Sequence, residues 1–187
     1  MFKITYTAMI IFITALWILN RAMFWRKNKR TDWKREAQLL LVYICLIVVA
    51  RFVFFPFSKV NGKIQQLLFD VAHIWPFRIN PVPFVNLFDY PKKSEIILNV
   101  VGNSTMFLPV GIIWPLVYKK LDTHGKVLAA GAGFSLAIEV IQLLFYDRVT
   151  DIDDLILNTL GYAAGYGIYL LVKVVKTCIV QKKENYR

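Results

Sequence analysis

The 187-residue chain contains little cysteine and histidine, which excludes several classes of small protein. Its two cysteines, Cys45 and Cys178, lie in apolar runs, and its two histidines, His73 and His124, are far apart. A disulfide scaffold or a zinc centre needs more of these residues at set spacings. Acidic residues are also scarce, 12 against 23 Lys and Arg, so the net charge is +11. No nucleic-acid-binding motif accompanies this excess, and we expect no nucleic-acid partner.

Long apolar runs are abundant, and 57% of the residues are hydrophobic, against about 45–50% in soluble proteins. A membrane span needs about 20 mostly apolar residues. The sequence predicts an all-α, polytopic membrane helix bundle in a single domain, residues 1–187. The five predicted transmembrane helices are Ile4–Asn20, Ala37–Phe57, Ile96–Tyr118, Lys126–Phe145 and Leu155–Val175.

The loops of this predicted bundle alternate between basic and neutral. The basic set carries 15 Lys and Arg and four acids, and comprises residues 21–36, 119–126 and 173–187. The neutral set carries seven of each, and comprises the N-terminus, 58–95 and 146–154. Because Lys and Arg concentrate in cytoplasmic loops, we expect the N-terminus outside and the basic tail, 176–187, in the cytoplasm. The first span lacks a cleavage site, which favours a retained anchor over a signal peptide.

The longest outer loop, 58–95, is predicted to be ordered. In KIQQLLFDVAHIW the apolar residues Ile64, Leu67, Leu68 and Val71 follow helical spacing. They predict a short amphipathic helix on the outer membrane surface. The following PFRINPVPFVNLFDYP has too many prolines for a regular helix. Its aromatic and apolar residues predict an ordered lid or a re-entrant piece packed on the bundle, and a plain loop is the alternative.

Two ionisable residues, Arg51 and Glu139, lie well inside predicted spans, each about six residues before the outer end. At membrane depth such a residue costs at least about 2.5–3.5 kcal/mol, so it usually has a partner or a water-filled cavity. Because the two charges are opposite and equally deep, we expect them to share a polar pocket. The alternative is that Arg51 extends to the outer surface and Glu139 is protonated.

Three predicted spans carry polar stripes at helical spacing near their outer ends. The stripes are formed by Asn99 and Asn103, by Ser135, Glu139 and Gln142, and by Asp154 and Asn158. A single polar residue in a span is often only a contact between helices. Three stripes at one depth predict a cavity open to the outer leaflet, with all seven residues as ligand-binding candidates beside Arg51.

An acidic motif with one arginine precedes the fifth span: Arg148, Asp151, Asp153 and Asp154. Asp151 or Asp153 would cap the helix, and acids suit its N-terminal dipole. Because one or two acids suffice for that role, we also count these four residues as ligand-binding candidates. Carboxylates of Asp151, Asp153 and Asp154 would alternatively suit Mg²⁺ or Ca²⁺. The D-x-D-D spacing is not specific for a metal, so we predict no cofactor.

The polar motifs, taken in order, resemble the VanZ-like family. They are N-x-x-x-N-x-x-x-F-x-P-x-G from Asn99, S-x-x-x-E-x-x-Q from Ser135 and R-x-x-D-x-D-D-x-x-x-N-x-x-G-x-x-x-G from Arg148. The resemblance covers about residues 40–175 and leaves the first span, 4–20, as an additional element. It implies a bacterial cytoplasmic-membrane protein with a role in low-level resistance to the glycopeptide teicoplanin, and it assigns no catalytic residue.

Two functions follow from these expectations. The first is binding of a lipoglycopeptide antibiotic or an envelope lipid in the outward-facing cavity, since apolar walls with a few polar groups suit an amphiphile. The alternative is an intramembrane enzyme acting on a lipid-linked, phosphate-bearing envelope precursor, with Glu139 and Asp154 as catalytic candidates. No nucleophile–base pair stands out, so enzymatic activity stays open. A transporter is disfavoured because no inverted repeat is evident, and the oligomeric state is not indicated.

Overall fold

The computed structural model describes residues 2–28, 31–55, 59–60, 62–70, 75–85 and 93–184. Within these ranges five helices are long and apolar enough to cross a membrane. They are α1 (Tyr6–Lys27), α2 (Trp33–Phe54), α3 (Lys93–Val117), α4 (His124–Gln142) and α5 (Ile152–Glu184). The predicted all-α membrane bundle is therefore confirmed, and each helix overlaps the span predicted for it.

Polar caps determine where several helices begin. The Oγ1 atom of Thr5 accepts a hydrogen bond from Ala8 N, and the Oδ1 atom of Asp32 accepts one from Lys34 N. Such bonds satisfy N–H groups that have no partner inside the helix. Because a cap precedes the apolar run, α2 begins four residues before its predicted start. Helices α1 and α5 also continue into basic sequence that the hydropathy of the spans does not include.

Helices α3 and α5 make the closest contact in the bundle. A Cβ atom added at Gly161 of α5 would lie 1.9 Å from the carbonyl oxygen of Ser104, and one at Gly165 would lie 2.1 Å from that of Leu108. Only glycine permits two helix backbones to approach so closely. Helix α4 packs on α5, and α2 packs on α3. Gly161 and Gly165 thus serve the packing of α5 on α3.

Among the described residues, three pairs of short strands gather the loops at one end of the bundle. The pairs are β1 (Phe2–Ile4) with β4 (Leu67–Phe69), β2 (Lys59–Val60) with β3 (Lys63–Ile64), and β5 (Ile79–Asn80) with β6 (Thr150–Asp151). Only the β5–β6 pair is parallel. We call this the acidic end, because the aspartates of the acidic motif lie here. It unites the three loops that the sequence groups on one side.

The predicted amphipathic helix of the outer loop is wrong for the described residues. Ile64 and Leu67 lie in β3 and β4, while residues 71–74 fall outside the described ranges. Leu67 is only 1% exposed, and Phe69 packs its ring against Phe145 at 6.3 Å. The strand Phe2–Ile4 supplies backbone partners for β4, and this tertiary pairing overrides a helical spacing in a short apolar run.

The opposite end of the bundle, which we call the basic end, is held together by arginines. Arg21 of α1 forms an ion pair with Glu36 of α2 through two hydrogen bonds. Their side chains are only 7% and 11% exposed. Arg35 donates a hydrogen bond to the carbonyl oxygen of Val117, the last residue of α3. The α1–α2 and α3–α4 connections therefore lie at the same end, as five alternating spans require.

Candidate functional site

Polar side chains of α3, α4 and α5 meet near the acidic end. The Nδ2 atom of Asn103 donates to Asn99 Oδ1 at 2.8 Å and also to Asp154 Oδ1. The Nδ2 atom of Asn158 donates to Ser135 Oγ at 3.1 Å. Ser135 and Asn158 are 0% and 1% exposed. The structure thus brings members of the three predicted stripes into direct contact.

Glu139 is the buried acid of this cluster, with 3% of its surface exposed. Its Oε2 atom accepts a hydrogen bond from Asp151 N at 3.1 Å, and its backbone carbonyl accepts one from Thr150 Oγ1 at 2.8 Å. These bonds join α4 to β6. The second carboxyl oxygen, Oε1, has no hydrogen-bonding partner within the described protein. Glu139 therefore retains one buried oxygen with unused hydrogen-bonding capacity.

Asp151 and Asp153 attach the loop from Trp75 to Val85, the covering segment, to the start of α5. Asp151 accepts hydrogen bonds from Asp153 N at 2.9 Å and from Asn80 Nδ2 at 3.1 Å. The first of these caps α5, as predicted for an acid at this position. Asp153 Oδ1 accepts from Phe84 N at 2.8 Å. Phe84 has a φ of 65°, a left-handed conformation that bulky residues rarely adopt, so this bond holds a strained backbone.

Three predicted ligand-binding residues instead bind the C-terminal carbonyl groups of α2. Gln142 Nε2 donates to Val53 O at 3.3 Å, and Arg148 donates to Phe54 O. Arg51 donates to the carbonyl oxygen of Phe55, the capping residue, at 2.9 Å. The last carbonyls of a helix have no partner inside it and form the negative end of its dipole. These three side chains therefore complete the end of α2.

The contacts described for Arg51 and Glu139 do not join the two residues directly. The guanidinium of Arg51 lies 5.5 Å from the ring centres of both Tyr6 and Phe52, whereas the carboxylate of Glu139 binds Asp151 N. Depth in a span does not specify which side of a helix a residue occupies. Arg51 is directed toward α1, and Glu139 is directed toward β6.

Arg148 is a cation whose charge interacts with an acid of the cluster, Asp154. Burial lowers the pKa of Arg148, while the charges of Asp147 and Asp154 act in the opposite direction. Its Nη2 atom donates to Phe54 O at the end of α2, but its Nε atom is buried and has no partner within the described residues. Arg148 therefore links the acidic motif to α2 and retains one donor.

The carboxylates do not converge as metal ligands. The described part of the chain contains no group of three or more His, Cys, Asp or Glu side chains that would hold a metal ion. Asp151 uses both oxygens for hydrogen bonds, and Asp153 and Asp154 each use one. The described residues thus give no support to a Mg²⁺ or Ca²⁺ site at these three aspartates.

Three residues that hold the site together were not singled out from the sequence. Asn80 binds Asp151, Thr150 binds the Glu139 carbonyl, and Asp147 accepts from Leu68 N at 3.1 Å. Asp147 and Thr150 adjoin the acidic motif, which was the one signal available for them. Asn80 is 71 positions away from Asp151, and only the parallel pairing of β5 with β6 brings them together.

Buried polar atoms without partners are concentrated in this cluster. Of the seven such atoms in the described protein, two belong to Trp114 and Tyr162, and the other five belong to predicted site residues, namely Glu139 (Oε1), Gln142 (Oε1), Arg148 (Nε), Asp153 (Oδ2) and Asn158 (Oδ1). Native proteins leave only a few such atoms per hundred residues, and each costs about 1–3 kcal/mol. The cluster is therefore suited to accept hydrogen-bonding groups from outside the chain.

Apolar side chains are exposed on the covering segment, which hydrogen bonds attach to Asp151 and Asp153. The exposed fraction is 75% for Trp75, 47% for Phe77 and 52% for Phe84. Arg78 lies with its guanidinium 4.4 Å from the ring centre of Tyr146, which fixes the segment against the bundle. The acidic end thus presents an apolar surface next to a buried polar cluster.

Comparison with known proteins assigns the family. The model of the family described as VanZ/LLP1 matches residues 40–173. The chain belongs to the VanZ/LLP1 family. It is similar to Protein VanZ of Enterococcus faecium, with 30% identity over 107 residues, which is 57% of this chain and 62% of that protein. The similarity thus spans less than two thirds of the relative's length. No solved structure matches the chain.

The VanZ/LLP1 match has a structural meaning. Its range begins within α2 and ends within α5, so it includes the covering segment and the whole polar cluster. Helix α1 lies outside it, although Arg21 of α1 pairs with Glu36 of α2. The part of the chain that matches the family model is therefore the part that forms the candidate site.

Proposed function

We propose that this VanZ-family protein binds an amphiphile of the bacterial cell envelope at the polar cluster and thereby contributes to low-level resistance to teicoplanin-type lipoglycopeptides. The ligand would be the antibiotic itself or an envelope lipid. The observation that carries the proposal is the set of buried polar atoms without protein partners in a cluster to which Asp151 and Asp153 attach an exposed apolar segment.

The two parts of the site suit the two parts of such a ligand. Glu139 Oε1, Asp153 Oδ2 and Asn158 Oδ1 would accept hydrogen bonds from hydroxyl or amide groups, because an amide oxygen and an ionised carboxylate are acceptors. Trp75, Phe77 and Phe84 would contact an acyl chain at the membrane surface, where aromatic residues are enriched. A few polar groups beside a larger apolar surface are typical of small-molecule sites.

The proposal requires the acidic end to face away from the cytoplasm. The excess of Lys and Arg at the basic end supports this orientation, with the N-terminus outside and α5 ending in the cytoplasm. Single cysteines at Lys3 and at Lys182, in a chain whose own two cysteines are replaced, would test it. An impermeant maleimide should label the cysteine at position 3 on intact cells and spare that at 182. The reverse pattern would reject both the orientation and an outward-facing site.

Binding can be measured on the purified protein in lipid nanodiscs. We expect saturable binding of teicoplanin and at least tenfold weaker binding of the same glycopeptide without its acyl chain. Glu139→Gln replaces either the unpartnered Oε1 atom or the Oε2 atom by an NH₂ donor. It should weaken binding of the antibiotic about tenfold, which corresponds to the loss of one hydrogen bond to a charged group. Asp122→Asn is the matched control, since it makes the same chemical change at an exposed site of the basic end.

The outcomes of this experiment are distinct. Unchanged affinity in Glu139→Gln would remove the polar cluster from the binding site. Absence of binding to antibiotic and to envelope lipid, with resistance intact in cells, would refute the binding function.

The unpartnered oxygen of Glu139 also favours one alternative, an intramembrane enzyme acting on a lipid-linked, phosphate-bearing precursor. A buried carboxyl group with a free oxygen has the position needed for a general acid or base. Ser135 Oγ, four residues earlier on the same stripe of α4, accepts a hydrogen bond from Asn158, and a serine–glutamate pair without histidine or lysine is a poor nucleophile–base pair. Mass spectrometry of the incubated precursor would decide, because an enzyme must release a product that Glu139→Gln does not form.

A further inference from the structure

A groove of about 620 Å³ opens at the basic end, between the beginning of α2 and the end of α3. Its charged and amide lining comes from Asp32, Lys34, Arg35, Gln38, Lys119 and Lys120. The polar cluster lies at the opposite end of the bundle, so this groove is separate from the site described above.

The residues that line the groove carry four positive charges and one negative charge. The only acid among its lining residues, Asp32, is engaged as the cap of α2 and accepts hydrogen bonds from Lys34 N at 3.0 Å and Arg35 N at 3.3 Å. Lys119, Lys120 and Lys34 are exposed, and none of them belongs to an ion pair in the described part of the chain. An anion would therefore meet three available ammonium groups.

Arg35 gives the groove a defined shape. Its Nη1 atom donates to Val117 O, and its guanidinium lies 5.9 Å from the ring centre of Tyr118. These contacts join the first turn of α2 to the end of α3. The positive end of the α2 dipole is capped by Asp32, and Arg35 covers the last carbonyl at the negative end of α3. The lysines thus surround a fixed structure and supply the attraction for an anion.

We propose that this groove binds the phosphate group of an anionic membrane lipid. Leu116 and Tyr118 line it and are 48% and 37% exposed. Trp33, at the start of α2, is 79% exposed, and aromatic residues concentrate at the headgroup level of membranes. Leu41, seven residues after Lys34 and therefore on the same stripe of α2, is also exposed and would contact the acyl chains. A soluble phosphate would use the same lysines but none of this apolar surface.

Lipid retention by the full-length protein tests the proposal. The probe is phosphatidylglycerol diluted into phosphatidylcholine nanodiscs, and native mass spectrometry measures how much of it stays bound. A lysine near an anionic membrane surface contributes about fivefold to binding. The variant Lys119→Gln/Lys120→Gln should therefore retain phosphatidylglycerol more than tenfold less well. The control Lys182→Gln/Lys183→Gln removes the same charge from the last turn of α5 and should bind as the unchanged protein does.

Three results would overturn the proposal. If the control loses as much bound phosphatidylglycerol as the groove variant, the attraction is a diffuse one of the whole basic end. If the groove variant retains as much phosphatidylglycerol as the unchanged protein, the groove lysines do not bind lipid. The third concerns the source of the phosphate. We expect millimolar inorganic phosphate, compared with chloride at matched ionic strength, to leave the bound phosphatidylglycerol in place. Full displacement by inorganic phosphate would assign the groove to a soluble anion. Thermal unfolding without phosphatidylglycerol should be unchanged in both variants, because all four lysines are exposed.

Discussion

Replacing Gly161 by alanine tests whether the candidate site depends on the close approach of α3 and α5. The new Cβ would lie 1.9 Å from Ser104 O and 2.6 Å from its carbonyl carbon. Both are backbone atoms, so no side-chain rotation relieves the contact. The two helices would have to separate, and Asn103, the neighbour of Ser104, would move away from Asp154.

The magnitude follows from comparison with Gly167 on the same helix. Real Cβ atoms essentially never come within 3.0 Å of such atoms, so the backbones must separate by roughly 1 Å, an overpacking that costs about 1–3 kcal/mol. Alanine in a helix is favoured over glycine by about 1 kcal/mol. Nothing lies within 4 Å of a Cβ at Gly167, so Gly167→Ala gains the propensity without the clash. The difference between the two variants, about 1–3 kcal/mol, isolates the steric cost.

The assay is the free energy of unfolding of each variant in one detergent, together with amphiphile binding in nanodiscs. We expect Gly167→Ala to be at least as stable as the unchanged protein, and Gly161→Ala to lose both stability and binding. Equal stability of the two alanine variants would refute the inferred contact between Gly161 and Ser104.

Three further substitutions test the contacts at the two ends and between α4 and α5. Glu36→Gln leaves Arg21 buried without its carboxylate and should lower the free energy of unfolding by about 3–5 kcal/mol. The control Asp122→Asn breaks an exposed ion pair and should cause no measurable change. Similar effects of the two substitutions would contradict the buried ion pair. Arg148→Gln removes a charged donor from the end of α2 and should cost about 1.5–3 kcal/mol, whereas unchanged thermal stability would argue against this capping. Ser135→Ala leaves the Nδ2 donor of its partner on α5 unsatisfied and should cost about 1–3 kcal/mol in the same unfolding assay; a neutral result would mean that this bond is not formed.

The helices could be predicted because membrane insertion depends on local composition. An apolar run of about 20 residues must satisfy its backbone hydrogen bonds internally, and in this length only a helix does so. All five runs accordingly correspond to observed helices. The same reasoning failed for the outer loop, where Leu67 belongs to a strand. A short apolar run does not determine a helix by itself, and the partner strand at Phe2–Ile4 is distant in the sequence.

The residues that form the polar cluster could also be predicted from periodicity, but their hydrogen-bonding partners could not. Offsets of three and four residues place Ser135 and Glu139 on one stripe of α4, and the structure has Ser135 in contact with Asn158 of α5. The described contacts of Arg51 are instead with Phe55 O and the ring of Tyr6, because the direction of its side chain depends on how α2 is rotated about its axis. That rotation results from packing against other helices, which hydropathy and depth do not encode.

By itself, then, the sequence determined the number of spans, the separation of basic from neutral loops, and most members of the polar cluster. Each of these depends on residues within one helical run or one loop. Only the tertiary structure decided that Arg51, Gln142 and Arg148 bind the end of α2, and that Asn80 reaches Asp151 through a parallel strand pair. Those contacts join residues far apart in the chain, and they form only after the helices have packed.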